Sequence, residues 1–429
     1  MMIFTRSIKM FRLLKIFSFF LLCFVLSVLF GSCQNQTTRL PGPSGTHRIS
    51  ITYLYFTDDN RTELFDNRKE RNREITVKAW YPTDEESAPE PYFRNAELAV
   101  NHFRFPGLYR NLKTNSGRDL RVSPGEKKYP VLVFSHGWGE HFSQNSILME
   151  ELASHGYIVL SIAHHFECKF SSYPDGRFIH IDTNSLRFQK IMKEMQNPKA
   201  MELIHKMYNA RDDKERMQVF RESSRILPTL LQESPHYWAE DSSFFLDRLT
   251  DINRKNKIFK DKLNLDKIGV FGMSMGGIVS TEMCIIDKRV KAGVNVDGGL
   301  YASVLEKEIQ TPFMFLNSKR FLGYGELFTS KTSMDCYSLS VKNSDHYNFS
   351  DYSIYPAPFA QPLLGTIDGN RTIEIMNVMI LAFFDKYLKE KTAINLIQRA
   401  KDYPEIELVT NISNHGYQDA KCSKKASAR

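Results

Sequence analysis

The chain has 429 residues, 42% of them apolar, which is enough for a sizeable core in one large α/β unit with insertions. Its net charge of +8 is milder than it looks, because Arg6, Lys9, Arg12 and Lys15 stand in a first segment of 32 residues without an acid, and the rest carries half that excess. No basic stripe interleaved with aromatics is present, which speaks against a nucleic-acid partner, and the widely spaced cysteines speak against a zinc site or a dense disulfide framework.

Residues 1–32 read as an export signal. The four basic residues form its positive start, and Ile16 to Phe30 is an almost unbroken apolar run. Gly31 and Ser32 then precede Cys33, which resembles a bacterial lipoprotein signal whose cysteine is lipidated. An uncleaved anchor or an ordinary secretory signal stays open. Residues 33–47, with Pro41-Gly42-Pro43, read as a tether, and a single domain is expected over 48–420, followed by a basic tail at 421–429. An exported chain could carry one or two disulfides among Cys168, Cys284, Cys336 and Cys422, with Cys284 expected as a buried free thiol.

Ile49 to Phe56 alternates and is expected as an edge strand. Arg73 to Tyr81 alternates and stops at Pro82, a strand ending. Residues 83–128 read as loops with a short helix. Val131 to Phe134 is a central strand, Ser143 to Ser154 a helix, and Tyr157 to Ala163 the next strand. Residues 184–235 lack strand signals and carry apolar residues at helical spacing, among them Leu186, Phe188, Ile191, Leu203 and Phe220. They form a methionine-rich helical insertion, either a lid or membrane-facing surface, or helices packed plainly on the sheet. Trp238 to Asn253 is an amphipathic helix. Further strands are expected at Ile268 to Phe271, Ala292 to Val296, Pro312 to Asn317 and Tyr337 to Val341, and a closing helix at Ile373 to Leu388. Strands alternating with helices imply an α/β fold with a mostly parallel central sheet and helices on both faces.

The chemistry gathers around Gly272-Met273-Ser274-Met275-Gly276. This is the Gly-x-Ser-x-Gly nucleophile elbow, in which a sharp strand-to-helix turn lifts a serine hydroxyl above the sheet. A serine nucleophile needs a base, an acid that orients it and donors for the oxyanion. Asp297 ends the apolar run 292–296 and is the acid. Asp345 is the weaker alternative. His346 follows the strand at 337–341 and is the base, with His415 as the alternative. The turn His136-Gly137-Trp138-Gly139 ends an early central strand, so the Trp138 and Met275 amides are the expected oxyanion donors. No cofactor and no metal is expected. His136, His141, His164 and His165 with Cys168 match no ligand spacing and read as pocket-lining or loop-holding residues.

Phe134-Ser135-His136-Gly137-Trp138-Gly139, Leu152 to Val159, the elbow at Ser274, Asp297 and His346 to Asp351 together resemble the plasma-type platelet-activating-factor acetylhydrolase family. The Tyr81-Pro82 strand end and the helix from Trp238 to Leu249 are similar too, and the resemblance does not extend to 186–235. The resemblance implies an α/β-hydrolase fold and a calcium-independent serine esterase that releases short or oxidised acyl chains from phospholipids. It maps the triad to Ser274, Asp297 and His346 and the oxyanion amides to Trp138 and Met275. The elbow is also similar to that of cutinases and polyester hydrolases, so polymeric or small esters form a competing substrate class. A non-catalytic lipoprotein on a hydrolase scaffold is the reading from another class. The expected partners are an ester or phospholipid substrate and, through lipidated Cys33, a membrane surface of the bacterial cell envelope.

Overall fold

The computed structural model describes residues 38–412 apart from 66–70, 211, 301–303, 305, 319–323 and 331. The expected export signal 1–32, Cys33, the tail 421–429 with Cys422, and His415 lie outside the described residues. Where one domain is expected, the chain divides into two compact units. Of the described residues the smaller holds 38–40 and Glu90–Thr114. It holds helix α1 (Ala96–Phe103) and a knot of rings, Tyr92, Phe93, Phe105 and Tyr109, with centroids 4.7–5.4 Å apart. The larger unit carries everything the chemistry uses.

In the larger unit ten strands form one sheet. They are β1 (Arg48–Thr62), β2 (Asn72–Thr83), β3 (Ser116–Arg118), β4 (Tyr129–Ser135), β5 (Ile158–Ala163), β8 (Leu263–Met273), β9 (Val290–Val296), β10 (Phe313–Asn317), β11 (Cys336–Val341) and β12 (Ile406–Thr410). A separate hairpin pairs β6 (Phe170–Ser172) with β7 (Phe178–His180). The sheet order is β12-β11-β10-β9-β8-β4-β5-β2-β1-β3, and the run from β5 to β11 is parallel. These parallel strands read as continuous apolar runs because both their faces are buried. From β4 the chain moves outward to β5 and then returns to lay β8 on the other side of β4. That reversal opens a crevice at the carboxyl ends of β4 and β8.

Alternation along the strands sends side chains to two faces. On one, Phe134 and Phe271 lie 4.9 Å apart, and Phe271 meets Phe384 of helix α8 (Gly369–Tyr387) at 5.8 Å. On the other, Val131, Val133, Ile268 and Val270 join one core cluster with Phe245, Leu249, Ile278 and Val279. Those partners come from helices α6 (Ser234–Lys255) and α7 (Met275–Ile286). Helices thus cover both faces, as the strand-helix alternation implies.

Several expectations need correction. β1 is not the edge, since β3 lies alongside its Ile49–Ile51 stretch. The buried Glu150 carboxylate fixes that piece by accepting from the Asn115 amide (2.8 Å) and the Ser116 hydroxyl (2.5 Å). Residues 44–47 do not behave as a free tether. Ser44 and Gly45 donate backbone N–H groups to Glu151 (2.8 Å) and Ser154 (3.1 Å), and His47 donates to the Ser154 carbonyl (3.1 Å). They thereby supply partners at the end of helix α2 (Ser146–Ser154), where carbonyls lack intrahelical ones. Cys168, Cys284 and Cys336 are all buried free thiols, so no disulfide joins cysteines among the described residues. Among those residues, too, no helix is long and apolar enough to cross a membrane.

The insertion is helical, as expected: α3 (Leu186–Met195), α4 (Pro198–Asn209) and α5 (Asp213–Ile226). Each starts on a side-chain cap. Ser185, Asn197 and Asp212 accept from the amides of Phe188, Lys199 and Glu215. A π-turn, Thr229–Glu233, runs straight into α6, so that helix begins four residues before the expected Trp238. Phe220 of α5 packs on Tyr324 at 4.4 Å and belongs to the main core, which ties this part of the insertion down as plain packing would.

One buried ion cluster clamps β1, β2 and α6 together. Arg73 of β2, 0% exposed, donates to both carboxylate oxygens of Asp241 (3.0 and 2.6 Å) and to Glu63 (2.7 Å). Arg61 reaches Asp241 as well (2.8 Å). Burial opposes the Asp241 charge, but Arg73, with the His164 hydrogen bond, outweighs it and holds the carboxyl far below its usual 3.8. Removing one partner strands the other without water. Asp241→Ala should therefore cost about 3–5 kcal/mol of stability, read as a lowered urea midpoint. Asp241 is protonated near its ordinary value only when unfolded, so its stabilisation is complete above that value and is lost below it, at about 1.4 kcal/mol per pH unit. Wild-type stability should fall more steeply between about pH 4 and pH 2 than that of Asp241→Asn; equal slopes would show that the carboxyl is not held down.

Candidate active site

β8 delivers Ser274 to the crevice with φ 58° and ψ −120°, and α7 begins at the next residue. A left-handed serine is strained and persists only where its surroundings over-determine it. Here its N–H donates to the Val296 carbonyl (2.9 Å), and its carbonyl accepts from the Gly277 amide (2.9 Å). The flanking glycines are there for contact. A Cβ on Gly276 would overlap the Ser135 carbonyl, and one on Gly272 would overlap the Gly276 carbonyl. Strand β4, strand β8 and helix α7 thus meet backbone to backbone.

Asp297 ends β9, the neighbour of β8, and is 0% exposed. One of its oxygens accepts from the Ser318 amide at 2.6 Å, and the other bonds His346 Nδ1 at 2.6 Å. Both oxygens are occupied, so the imidazole is held in one orientation with Nε2 directed away from the acid. Asp345 turns elsewhere, as expected. It accepts from the His346 amide and caps the short helical turn His346–Phe349.

The turn after β4 presents four successive amides, three of which are consumed. Gly137 donates to Gln144 Oε1 (2.7 Å), Gly139 to the Glu167 carbonyl (2.9 Å) and Glu140 to the Gly137 carbonyl (3.0 Å). The Trp138 amide finds no partner among the described residues. Nor does that of Met275, the first residue of α7, where amides lack intrahelical acceptors. The turn faces the serine, since a Cβ on Gly137 would stand 3.3 Å from Ser274 Cβ. Two free donors thus flank the serine, one at a helix N-terminus.

The buried histidines His136 and His164 hold loops and strand ends. His136 is fully buried, and burial pushes it down to about 3, so it is neutral. Its Nε2 accepts from the His164 amide (3.2 Å), which leaves the proton on Nδ1 to donate to the Gly137 carbonyl (2.7 Å). Ser135, His164 and Asp241 form a hydrogen-bonded Ser-His-Asp chain, at 3.1 and 2.8 Å. With Ser135 4% exposed and the other two at 0%, no substrate reaches it, and it serves to brace the end of β4.

Three supporting residues escape a reading of motifs. Gln144 clamps Gly137 with its side chain and accepts the Asp351 amide at its carbonyl (2.9 Å). Asp351 accepts from the Ser146 and Ile147 amides (2.7 and 3.2 Å), docking the His346 loop on the start of α2. Glu140 accepts from the hydroxyls of Tyr347 (2.6 Å) and Tyr352 (2.7 Å). The only sequence signal for them is position: polar residues just beyond the Gly-x-Gly turn and just beyond His346. Among the described residues no three of His, Cys, Asp and Glu gather so as to hold a metal ion.

The site can be set beside known proteins. The sequence profile of platelet-activating factor acetylhydrolase, isoform II, matches residues 32–402. Platelet-activating factor acetylhydrolase of Bos taurus is 22% identical over 386 residues, covering 85% of this chain and 80% of that protein. The Cavia porcellus protein of the same name is 25% identical over 377 residues (82% and 78%), and that of Gallus gallus 25% over 373 residues (82% and 84%). A ferulic acid esterase from Streptomyces cinnamoneus superposes with a TM-score of 0.65 at 21% identity, over 87% of this chain and 100% of its own, a likeness of fold. This chain is accordingly a carboxylic ester hydrolase of α/β-hydrolase fold. With more than half of its length matched by the profile, it belongs to the platelet-activating factor acetylhydrolase, isoform II, family.

Proposed function

We propose that the protein hydrolyses short or oxidised acyl esters of phospholipids, with Ser274 as nucleophile, His346 as general base and acid, Asp297 as its orienting acid, and the Trp138 and Met275 amides as the oxyanion hole. The observation that carries this reading is the 2.6 Å bond from Asp297 to His346 Nδ1, at the end of the strand beside a strained, half-buried serine. The substrate class rests on family membership over 32–402 and on the acetylhydrolase relatives that share most of their length with this chain.

In this mechanism His346 Nε2 takes the Ser274 proton as Oγ attacks the ester carbonyl. The carbonyl oxygen becomes an oxyanion and accepts from the two free amides, each worth about 3–4 kcal/mol in the transition state. Asp297 stays ionised and stabilises the imidazolium. His346 returns the proton to the departing lysophospholipid oxygen, leaving an acyl-serine. Water, deprotonated by His346, then attacks the acyl carbonyl, and the proton passes back to Ser274 as the acid leaves.

The reading extends to location. The basic start, the apolar run and Gly31-Ser32-Cys33 support export and lipidation at Cys33. Each buried methylene of an acyl anchor adds about 0.8 kcal/mol, so a lipidated protein would sit stably on a membrane of the cell envelope beside lipid substrate.

Ser274→Ala should abolish turnover of short-acyl phospholipids while circular dichroism and melting stay as in the wild type; turnover retained in that variant refutes the nucleophile. Wild-type activity confined to p-nitrophenyl esters or polyesters would move the substrate to small or polymeric esters. Asp297→Asn should keep the geometry yet lower kcat by roughly three to four orders of magnitude, since the amide favours the wrong imidazole tautomer. For the anchor, cells fed an alkyne fatty acid should label the wild type and not Cys33→Ala; equal labelling would place the lipid elsewhere.

A further inference from the structure

Glu167 is a buried carboxylate that the mechanism does not use. It is 3% exposed and follows β5 on a loop whose cysteine, Cys168, is also buried. Its backbone carbonyl accepts the Gly139 amide (2.9 Å). Its side chain accepts from three donors: Trp138 Nε1 at 3.2 Å, Ser234 Oγ at 2.6 Å and Trp238 Nε1 at 2.8 Å. Arg187 Nε stands 3.9 Å away. One residue therefore holds the oxyanion turn twice, by the side chain of Trp138 and by the backbone of Gly139.

The other partners belong to the helical insertion and its continuation. Arg187 lies on α3 and bonds Glu233 (2.7 Å) and Ser234 (2.8 Å) at the head of α6. The next residue of α3, Phe188, stacks on the Trp138 indole at 6.0 Å and 16°. The residue whose amide is assigned to the oxyanion hole is thus gripped through its ring by α3 on one side and by Glu167 on the other. On its N-terminal side the turn is fixed independently, by Gln144 and His136 on the Gly137 peptide groups.

We propose that Glu167 is a positioning residue that ties the helical insertion to the oxyanion turn, so that the insertion sets the aim of the Trp138 amide. This rests on the assignment of that amide to the oxyanion hole. A carboxylate suits the place because every group that converges on it donates. It offers acceptor sites alone, whereas a glutamine would turn an NH₂ toward at least one donor. A misaimed amide costs less than a missing one. Removal of an oxyanion donor lowers kcat by about 10²–10³-fold, so loosening it should cost about tenfold or somewhat more.

The test compares wild type, Glu167→Gln and Phe188→Ala. Three readings are taken: kcat and KM on a p-nitrophenyl ester, Ki for a trifluoromethyl ketone that forms a tetrahedral adduct on a nucleophilic serine, and the indole N–H resonances of the three tryptophans. Glu167→Gln should lower kcat about tenfold with KM within about twofold. It should weaken the ketone by the same factor as kcat/KM, and shift the Trp138 and Trp238 resonances but not that of Trp80. Phe188→Ala should show the same pattern at roughly threefold and move Trp138 alone. Should Glu167→Gln fail to fold, Phe188→Ala decides. Unchanged kcat and Ki in a folded variant whose Trp138 resonance has moved would overturn the coupling, and an unmoved Trp138 resonance would overturn the anchoring. Activity retained in Ser274→Ala would instead count against the catalytic assignment, while the indole resonances would still report on the anchor.

Discussion

The site depends on a contact in which side chains take no part. Gly276, the second residue of α7, lies against the carbonyl of Ser135 at the end of β4, and Gly272 lies against the carbonyl of Gly276. Only at that separation can β8 turn into α7 with Ser274 at φ 58° and still leave the β4 turn close to the serine. Strain at one residue is tolerated because its amide and carbonyl are both spent, on Val296 and Gly277. The same approach brings the free amides of Trp138 and Met275 to the serine from two different elements.

Around that contact the molecule spends buried polar groups on loops. Asp297 offers one oxygen to the Ser318 amide and the other to His346, so the carboxylate is itself oriented before it orients the imidazole. Gln144, Glu140 and Asp351 cross-link the His346 loop, the oxyanion turn and the start of α2. Behind β4, the chain from Ser135 through His164 to Asp241 copies the hydrogen-bond pattern of a catalytic triad in a place without solvent. Exposure and backbone strain set Ser135 apart from Ser274. Ser135 ends a regular strand, and Ser274 stands on a left-handed turn.

The helical insertion carries none of the motifs that signalled the family, although the profile match over 32–402 spans it, and it is built into the site's surroundings. Its α5 joins the main core through Phe220, and its α3 meets the oxyanion turn through Phe188 and Arg187. The ring of Trp138 is thus held by two residues from outside its own turn, Phe188 of α3 and Glu167 of the loop after β5.

Much of the fold was legible in the chain alone. Continuous apolar runs mark strands buried on both faces, and the Gly-x-Ser-x-Gly elbow names its serine because only small flanking residues let strand and helix pass. Asp297 and His346 followed from chain order and from their places after strands. What the sequence could not show was pairing at a distance. Strand β12, the β6–β7 hairpin and the three residues of β3 are too short to carry a period, and exist because neighbours accept their hydrogen bonds. The packing of 44–47 on α2 hides in a stretch rich in turn residues. Gln144, Glu140, Asp351 and Glu167 are ordinary polar residues by composition. They matter because the fold closes over them and leaves each a set of donors with no water to turn to, and burial of that kind is decided only once the tertiary structure has formed.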